Sequence, residues 1–130
     1  MSNVPRAPFT SASFTTQADL STKLYCAGVL SSGLIIAASL TKGQQVNGII
    51  QEKVKGTSTD EKTVQLAISG ICRGRAGGNI SEGNNVVVDT DGELIADDAA
   101  SQFVVGTALQ SAVDQDIFAL KLVLAPTVTS

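Results

Sequence analysis

Val29-Leu-Ser-Ser-Gly33-Leu-Ile-Ile-Ala37 and Val88-Asp-Thr-Asp-Gly92-Glu-Leu-Ile-Ala96 say nearly the same thing in two places of one chain. Each is an apolar run, a glycine turn and a short apolar run. The likeness continues downstream. Val46-Asn-Gly48-Ile-Ile-Gln51 matches Val104-Val-Gly106-Thr-Ala-Leu-Gln110, and Thr63-Val-Gln-Leu-Ala-Ile68 matches Ile117-Phe-Ala-Leu-Lys-Leu122. Residues 24–68 and 85–122 therefore predict two related halves, each a strand, a turn, a short strand, a strand centred on glycine and a closing strand. Two copies are too few for a solenoid, so an all-β closed or sandwiched sheet is expected. No segment long enough for a helix sustains a 3.6-residue period.

Local signals refine this. Gly48 inside an apolar run marks a bulge or a close backbone approach. Thr63 to Arg75 reads as one long strand bent at Gly70, and Lys53 to Lys62 as an exposed polar hairpin loop. Asp91-Gly92 is a two-residue hairpin signal. The expected organisation is an extended N-terminal arm over 1–22, a β domain over 23–125 and a short tail over 126–130.

Composition bounds the rest. A chain of 130 residues is one domain that buries roughly two-thirds of its unfolded surface without metal or disulfide. Apolar residues make up 43% but aromatic ones only 4%, so the core must be built from Val, Ile, Leu and Ala. Oligomerisation would supplement so lean a core. The net charge of -3 offers no basic field for nucleic acid. The N-terminus has no apolar run that reads as a signal peptide, and no window approaches the roughly 18 apolar residues of a membrane span. Synthesis and assembly in a cytoplasm are expected, with Cys26 and Cys72 as buried free thiols in strands.

The absence of histidine removes the commonest general base, the usual serine and cysteine triads and most zinc sites. Asp89, Asp91, Asp97 and Asp98 resemble a calcium cluster. However, Gly92 follows Asp91 directly, whereas an EF-hand loop needs its glycine at the sixth position. Turn-forming aspartates on a solvated hairpin are the simpler reading. No helix follows Arg73-Gly-Arg75-Ala-Gly-Gly to make a phosphate cradle. Arg73 and Arg75 read as solvated, or as a strand end meeting an acidic patch on a protein partner. No cofactor, metal or enzymatic activity is expected.

The first 22 residues differ. They are rich in Ser and Thr, and Pro5 and Pro8 disfavour a regular element. Isolated large residues (Val4, Phe9 and Phe14) fit either a flexible leader or an arm ordered on a partner, with the phenylalanines as anchors.

The succession of segments carries a resemblance. Leu24-Tyr-Cys-Ala-Gly-Val29 leads to Ser32-Gly33, and Val46-Asn-Gly48-Ile-Ile-Gln51 precedes a polar loop. Arg73-Gly-Arg-Ala-Gly-Gly-Asn-Ile80 is followed by Gly83-Asn-Asn-Val86, Asp91-Gly92 and Val105-Gly-Thr-Ala-Leu109. Over residues 23–124 this resembles the capsid cement, or head-decoration, proteins of tailed bacteriophages. The resemblance implies a small β-barrel or β-tulip-like sandwich, usually a homotrimer. Such proteins bind the outer capsid surface, bridge neighbouring major capsid subunits and resist packaged-DNA pressure. No catalytic residues carry over. Val4, Pro5, Phe9, Phe14, Arg73 and Arg75 are the candidate capsid or subunit contacts, with no nucleic acid or membrane partner. A virion-surface receptor-binding or adhesion module, using the Lys53–Lys62 loop, is the alternative.

Overall fold

A computed structural model describes residues 9–37, 42–97 and 102–126. Among them are nine strands and no helix: β1 Phe9–Thr16, β2 Ala27–Ser31, β3 Leu34–Ala37, β4 Gly48–Ile50, β5 Lys62–Arg75, β6 Asn85–Val88, β7 Leu94–Ala96, β8 Phe103–Ala108 and β9 Ile117–Pro126. All pair antiparallel in one curled sheet of order β3-β2-β4-β5-β9-β8-β6-β7, with β1 added on β5. Matching β2–β5 to β6–β9 makes that order a palindrome about the β5–β9 pair. The repeat in the sequence is thus a repeat of topology, as the doubling predicts.

The paired glycines show why the halves fold alike. A Cβ on Gly48 would lie 2.5 Å from the Ala67 carbonyl oxygen of β5, and one on Gly106 would lie 2.3 Å from the Lys121 oxygen of β9. Both sites let adjacent strands cross more closely than any side chain permits.

The two hairpins differ. Ser31 pairs with Leu34 across a two-residue turn in which Ser32 and Gly33 have φ of 52° and 81°, the type I′ conformation that matches strand twist. In the second half the last ladder pair is Val88 with Leu94, but the Asp89 N–H still reaches the Glu93 carbonyl at 2.8 Å and the Gly92 N–H returns to the Asp89 carbonyl at 3.3 Å. The turn therefore holds three residues, Thr90–Gly92, with Gly92 at φ 85°. The two-residue turn expected at Asp91-Gly92 is not formed. Asp89 competes for it by accepting backbone bonds through its side chain.

β5 is the spine. Its first part pairs with β4 on one edge and β1 on the other; beyond Gly70 it pairs with β9. Gly70 has φ of 90°, and Ile68 is skipped in the β1 register, where Thr10 faces Ser69 and Ser11 faces Ala67. That extra residue reverses the facing of the strand. Val64 and Leu66 point into a small cluster with Leu20, Ile35 and Ile50. Beyond the bend, Cys72 points into the larger cluster with Val86, Val88, Leu94, Phe118, Leu120 and Leu122. The bend expected at Gly70 therefore lets one strand serve two cores.

The N-terminal segment departs from expectation. Phe9–Thr16 is a regular strand paired with β5 along its whole length. Its serines and threonines suit a half-exposed strand, and the prolines lie before it at positions 5 and 8. Phe14 packs on the small cluster, and Thr16, fully buried, donates through Oγ1 to the Ile35 carbonyl at 2.7 Å. The first half is thereby closed against β3.

Cys26 and Cys72 are both buried free thiols, although Cys26 lies just before β2 because Tyr25, at φ 68°, delays the strand. Burial pushes the Cys26 thiol up to about 11 and the Cys72 thiol to about 12. Neither thiol should react with a disulfide reagent at neutral pH until the chain is unfolded, when both should titrate. Gly48→Ala and Gly106→Ala should each cost about 1–3 kcal/mol in urea unfolding, because the carbonyl they would meet is main chain and cannot swing aside. Unchanged midpoints would contradict the close-crossing account.

Candidate functional site: an interaction surface

The sequence-predicted contact residues are spread along β5 rather than gathered. Phe14 faces Val64 toward one end of that strand, Phe9 faces Gly70 near its middle, and Arg73 and Arg75 lie toward the other end. Phe9 is 40% exposed, while Phe14 is half-buried on this chain's own core. Val4 and Pro5 lie outside the described residues. Arg75 donates from Nε to the Leu24 carbonyl at 3.3 Å and reaches Gln115 Oε1 at 3.5 Å. Its backbone N–H bonds the Tyr25 carbonyl at 2.9 Å. Arg73 contributes its main-chain carbonyl to Gln51 Nε2. Both arginines are half-buried, and Arg75 braces the loop that enters β2.

The Lys53–Lys62 stretch ends in a tight turn, with Thr57 and Asp60 exchanging backbone bonds at 3.0 and 3.2 Å. Its tip is exposed. Lys62 and Asp60 form a surface ion pair at 3.2 Å, a contact worth little in water. Val54 is turned inward onto the small cluster, an apolar anchor inside a polar run.

The carboxylates of Asp89, Asp91 and Glu93 offer oxygens within 4.8 Å of one another. Asp97 is not part of that group, and Asp98 lies outside the described residues. Asp89 Oδ1 accepts the backbone N–H of Asp91 at 2.8 Å and of Glu93 at 3.0 Å, so it caps the β6–β7 loop. Lys23 Nζ donates to the Asp91 carbonyl at 3.2 Å. This is the chemistry of a loop cap.

Among the described residues, the large apolar side chains that stay exposed are Phe9, Leu30, Ile36, Leu109, Val113 and Val123. Two of them, Leu109 and Val113, lie on the β8–β9 loop, which sequence reasoning passed over. The signal available there was an apolar Ala112-Val113 flanked by Ser111 and by the acidic run from Asp114. Among the described residues no helix is long and apolar enough to cross a membrane.

Burial raises the Asp89 carboxyl above the usual range, against its two backbone hydrogen bonds. A folded-state value above the unfolded one means that the native chain holds this proton more firmly. The charge of Asp89 therefore costs stability at neutral pH, and that cost disappears as pH falls through the native titration. Asp89→Asn keeps an oxygen acceptor without the charge. It should be at least as stable as the parent near neutrality, with an advantage that shrinks in acid. Asp89→Ala, which strands two N–H groups, should lose about 1–2 kcal/mol in urea unfolding.

No protein-family model matches this chain, and no curated protein matches its sequence. Among solved structures, the head fiber gp8.5 N base of bacteriophage phi29 is similar, with a TM-score of 0.71 over 92% of this chain and 100% of that one. The sequence identity is 20%, so what the two share is the fold, a small antiparallel β structure.

Proposed function

We propose that this chain is a structural protein of a bacteriophage head, a decoration or cement protein that grips the outer surface of the shell and bridges neighbouring major capsid subunits. The observation that supports this reading most is the likeness, over nearly the whole chain, to the base of a phage head fiber. The surface fits the role. Its exposed groups are loop tips and apolar side chains, and of the three clustered acidic residues the Asp89 carboxylate caps the turn while the Glu93 carboxylate accepts from Gln115. Such a protein acts by adhesion: binding that favours the assembled lattice stabilises it by mass action, and several weak contacts made together hold firmly.

Self-association, as a homotrimer, belongs to the same proposal, and the internal repeat supports one site for it. Leu30 and Ile36 on the β2–β3 hairpin are 45% and 38% exposed. Of their counterparts by strand register, Val88 is covered within the chain and Ile95 is half-buried. Val88 is fully buried, its carbonyl taking the Gly43 N–H at 2.7 Å, and Gly78 stands over Ile95. A second copy would supply at Leu30 the cover that the chain supplies itself at Val88, while Ile36, opposite Val29 on the other face of the hairpin, is a separate contact. The N-terminal contacts are Val4, Pro5 and Phe9. Phe14 could join them only if β1 left β5.

The purified chain, added to heads that lack it, should bind them and raise the temperature at which packaged DNA escapes. Removal of residues 1–8, which spares β1, should weaken the binding. Heads that bind the protein yet release DNA at an unchanged temperature would favour the adhesion reading, with the exposed turn at Thr57–Asp60 as its surface. No binding at all would remove both.

A further inference from the structure

The two halves share a topology but not a charge. Residues 76–130, beyond β5, hold eight of the twelve acidic side chains and one of the nine basic ones. Hydrogen bonds tie the acidic loops into one continuous rim. Gln115 Nε2 donates to Glu93 Oε2 at 2.8 Å and to Asp114 Oδ1 at 3.1 Å, and the Glu82 N–H bonds Ser111 Oγ at 3.1 Å. Of the cations nearby, Lys23 bonds the Asp91 carbonyl, and Arg75 bonds the Leu24 carbonyl and reaches Gln115 Oε1 at 3.5 Å. Arg73 pairs opposite Ala119 and Lys121 opposite Thr107, so the acidic groups outnumber the cations without standing alone.

On the β8–β9 loop, which also carries Asp114 and Asp116, stand Leu109, 38% exposed, and Val113, 56% exposed. The loop that presents them is braced. Ile80 and Ala112 exchange backbone bonds at 2.8 and 2.9 Å, and the Leu109 N–H bonds the Ala119 carbonyl at 2.9 Å. Asp116 Oδ2 accepts the Val113 N–H at 3.0 Å, and the Asp116 N–H returns to the Val113 carbonyl at 2.9 Å. An apolar tip held this firmly loses little freedom when a partner covers it. The internal counterpart of this loop joins β4 to β5, and it has no large apolar side chain among the exposed ones, since Val54 is turned inward. The second half has therefore departed from the common plan at this place.

We infer that the acid-rimmed platform of Leu109 and Val113 is a docking face for a basic protein surface. Resting on the reading above, that surface belongs to the capsid shell. Charge decides the kind of partner. Two copies meeting through this face would set carboxylates against carboxylates, and nucleic acid has the same sign as the rim. The lysine-bearing hairpin of a second copy is no complement either: Lys53, Lys55 and Lys62 are matched there by Glu52, Asp60 and Glu61. A basic rim around an apolar centre satisfies both parts of the platform.

The test measures binding of the full chain to purified heads that lack it, at rising salt. Val113→Ser and, separately, Asp114→Lys should each weaken binding about tenfold or more, with thermal midpoints close to the parent's. Binding of the parent should fall as salt rises. Should Val113→Ser fail to fold, Asp114→Lys, whose side chain is exposed, still decides the matter. Variants that bind as tightly as the parent would overturn this inference while leaving the capsid role intact, as would salt-independent binding. A parent that self-associates while both variants are monomeric would make the occupant a second copy and overturn it too. A parent that does not bind heads would overturn both the inference and the proposal beneath it.

Discussion

The structure depends on β5 serving two cores. A strand that kept strict alternation from Lys62 to Arg75 would offer one face throughout. Gly70, at φ 90°, and the extra residue at Ile68 reverse the facing midway. Val64 and Leu66 can then fill the small cluster of the first half while Cys72 joins Ile49, Ala67 and the second half's side chains in the larger one. Only glycine takes that φ without strain, so a single flexible position couples the halves. The β5–β9 pair then forms the axis of the palindrome, and each half wraps outward from it.

Duplication solves a problem of composition. With few aromatic residues, no single site buries much area, so stability must come from many small contacts. Repeating one economical unit, with a glycine crossing at Gly48 and again at Gly106, brings backbones close enough for short aliphatic side chains to fill the interior. The first half lacks a segment like Ala76–Gly77, which bonds Leu94 in the second, and β1 stands in by bonding Ile35 through Thr16. The N-terminal strand is thus part of the domain it adjoins, which limits how freely it can reach toward another surface.

Surfaces diverge where cores do not. Equivalent hairpins carry Leu30 in the open and Val88 under cover, and equivalent loops carry inward Val54 and outward Val113. Packing constrains interior positions in both halves alike, whereas each solvent-facing loop is free to acquire its own chemistry. Net acidic charge has accumulated in one half: it holds eight of the twelve acidic side chains and one of the nine basic ones. The fold is thereby polarised, a symmetric scaffold with asymmetric ends.

The amino-acid sequence alone determined the all-β class, the doubling, the close approach at Gly48 and the bend at Gly70, because alternation and glycine placement are local properties of the chain. It also indicated buried thiols, through two cysteines set in apolar surroundings. It did not determine that Phe9–Thr16 is a strand, since a Ser/Thr-rich segment gains regularity only from the β5 edge it meets. Nor did it show that the second hairpin turns over three residues, Thr90–Gly92, because Asp-Gly serves either turn until the Asp89 side chain competes for the backbone. The exposure of Leu109 and Val113 was decided by tertiary structure alone: an aliphatic residue looks the same in sequence whether a neighbouring loop covers it or holds it out to solvent.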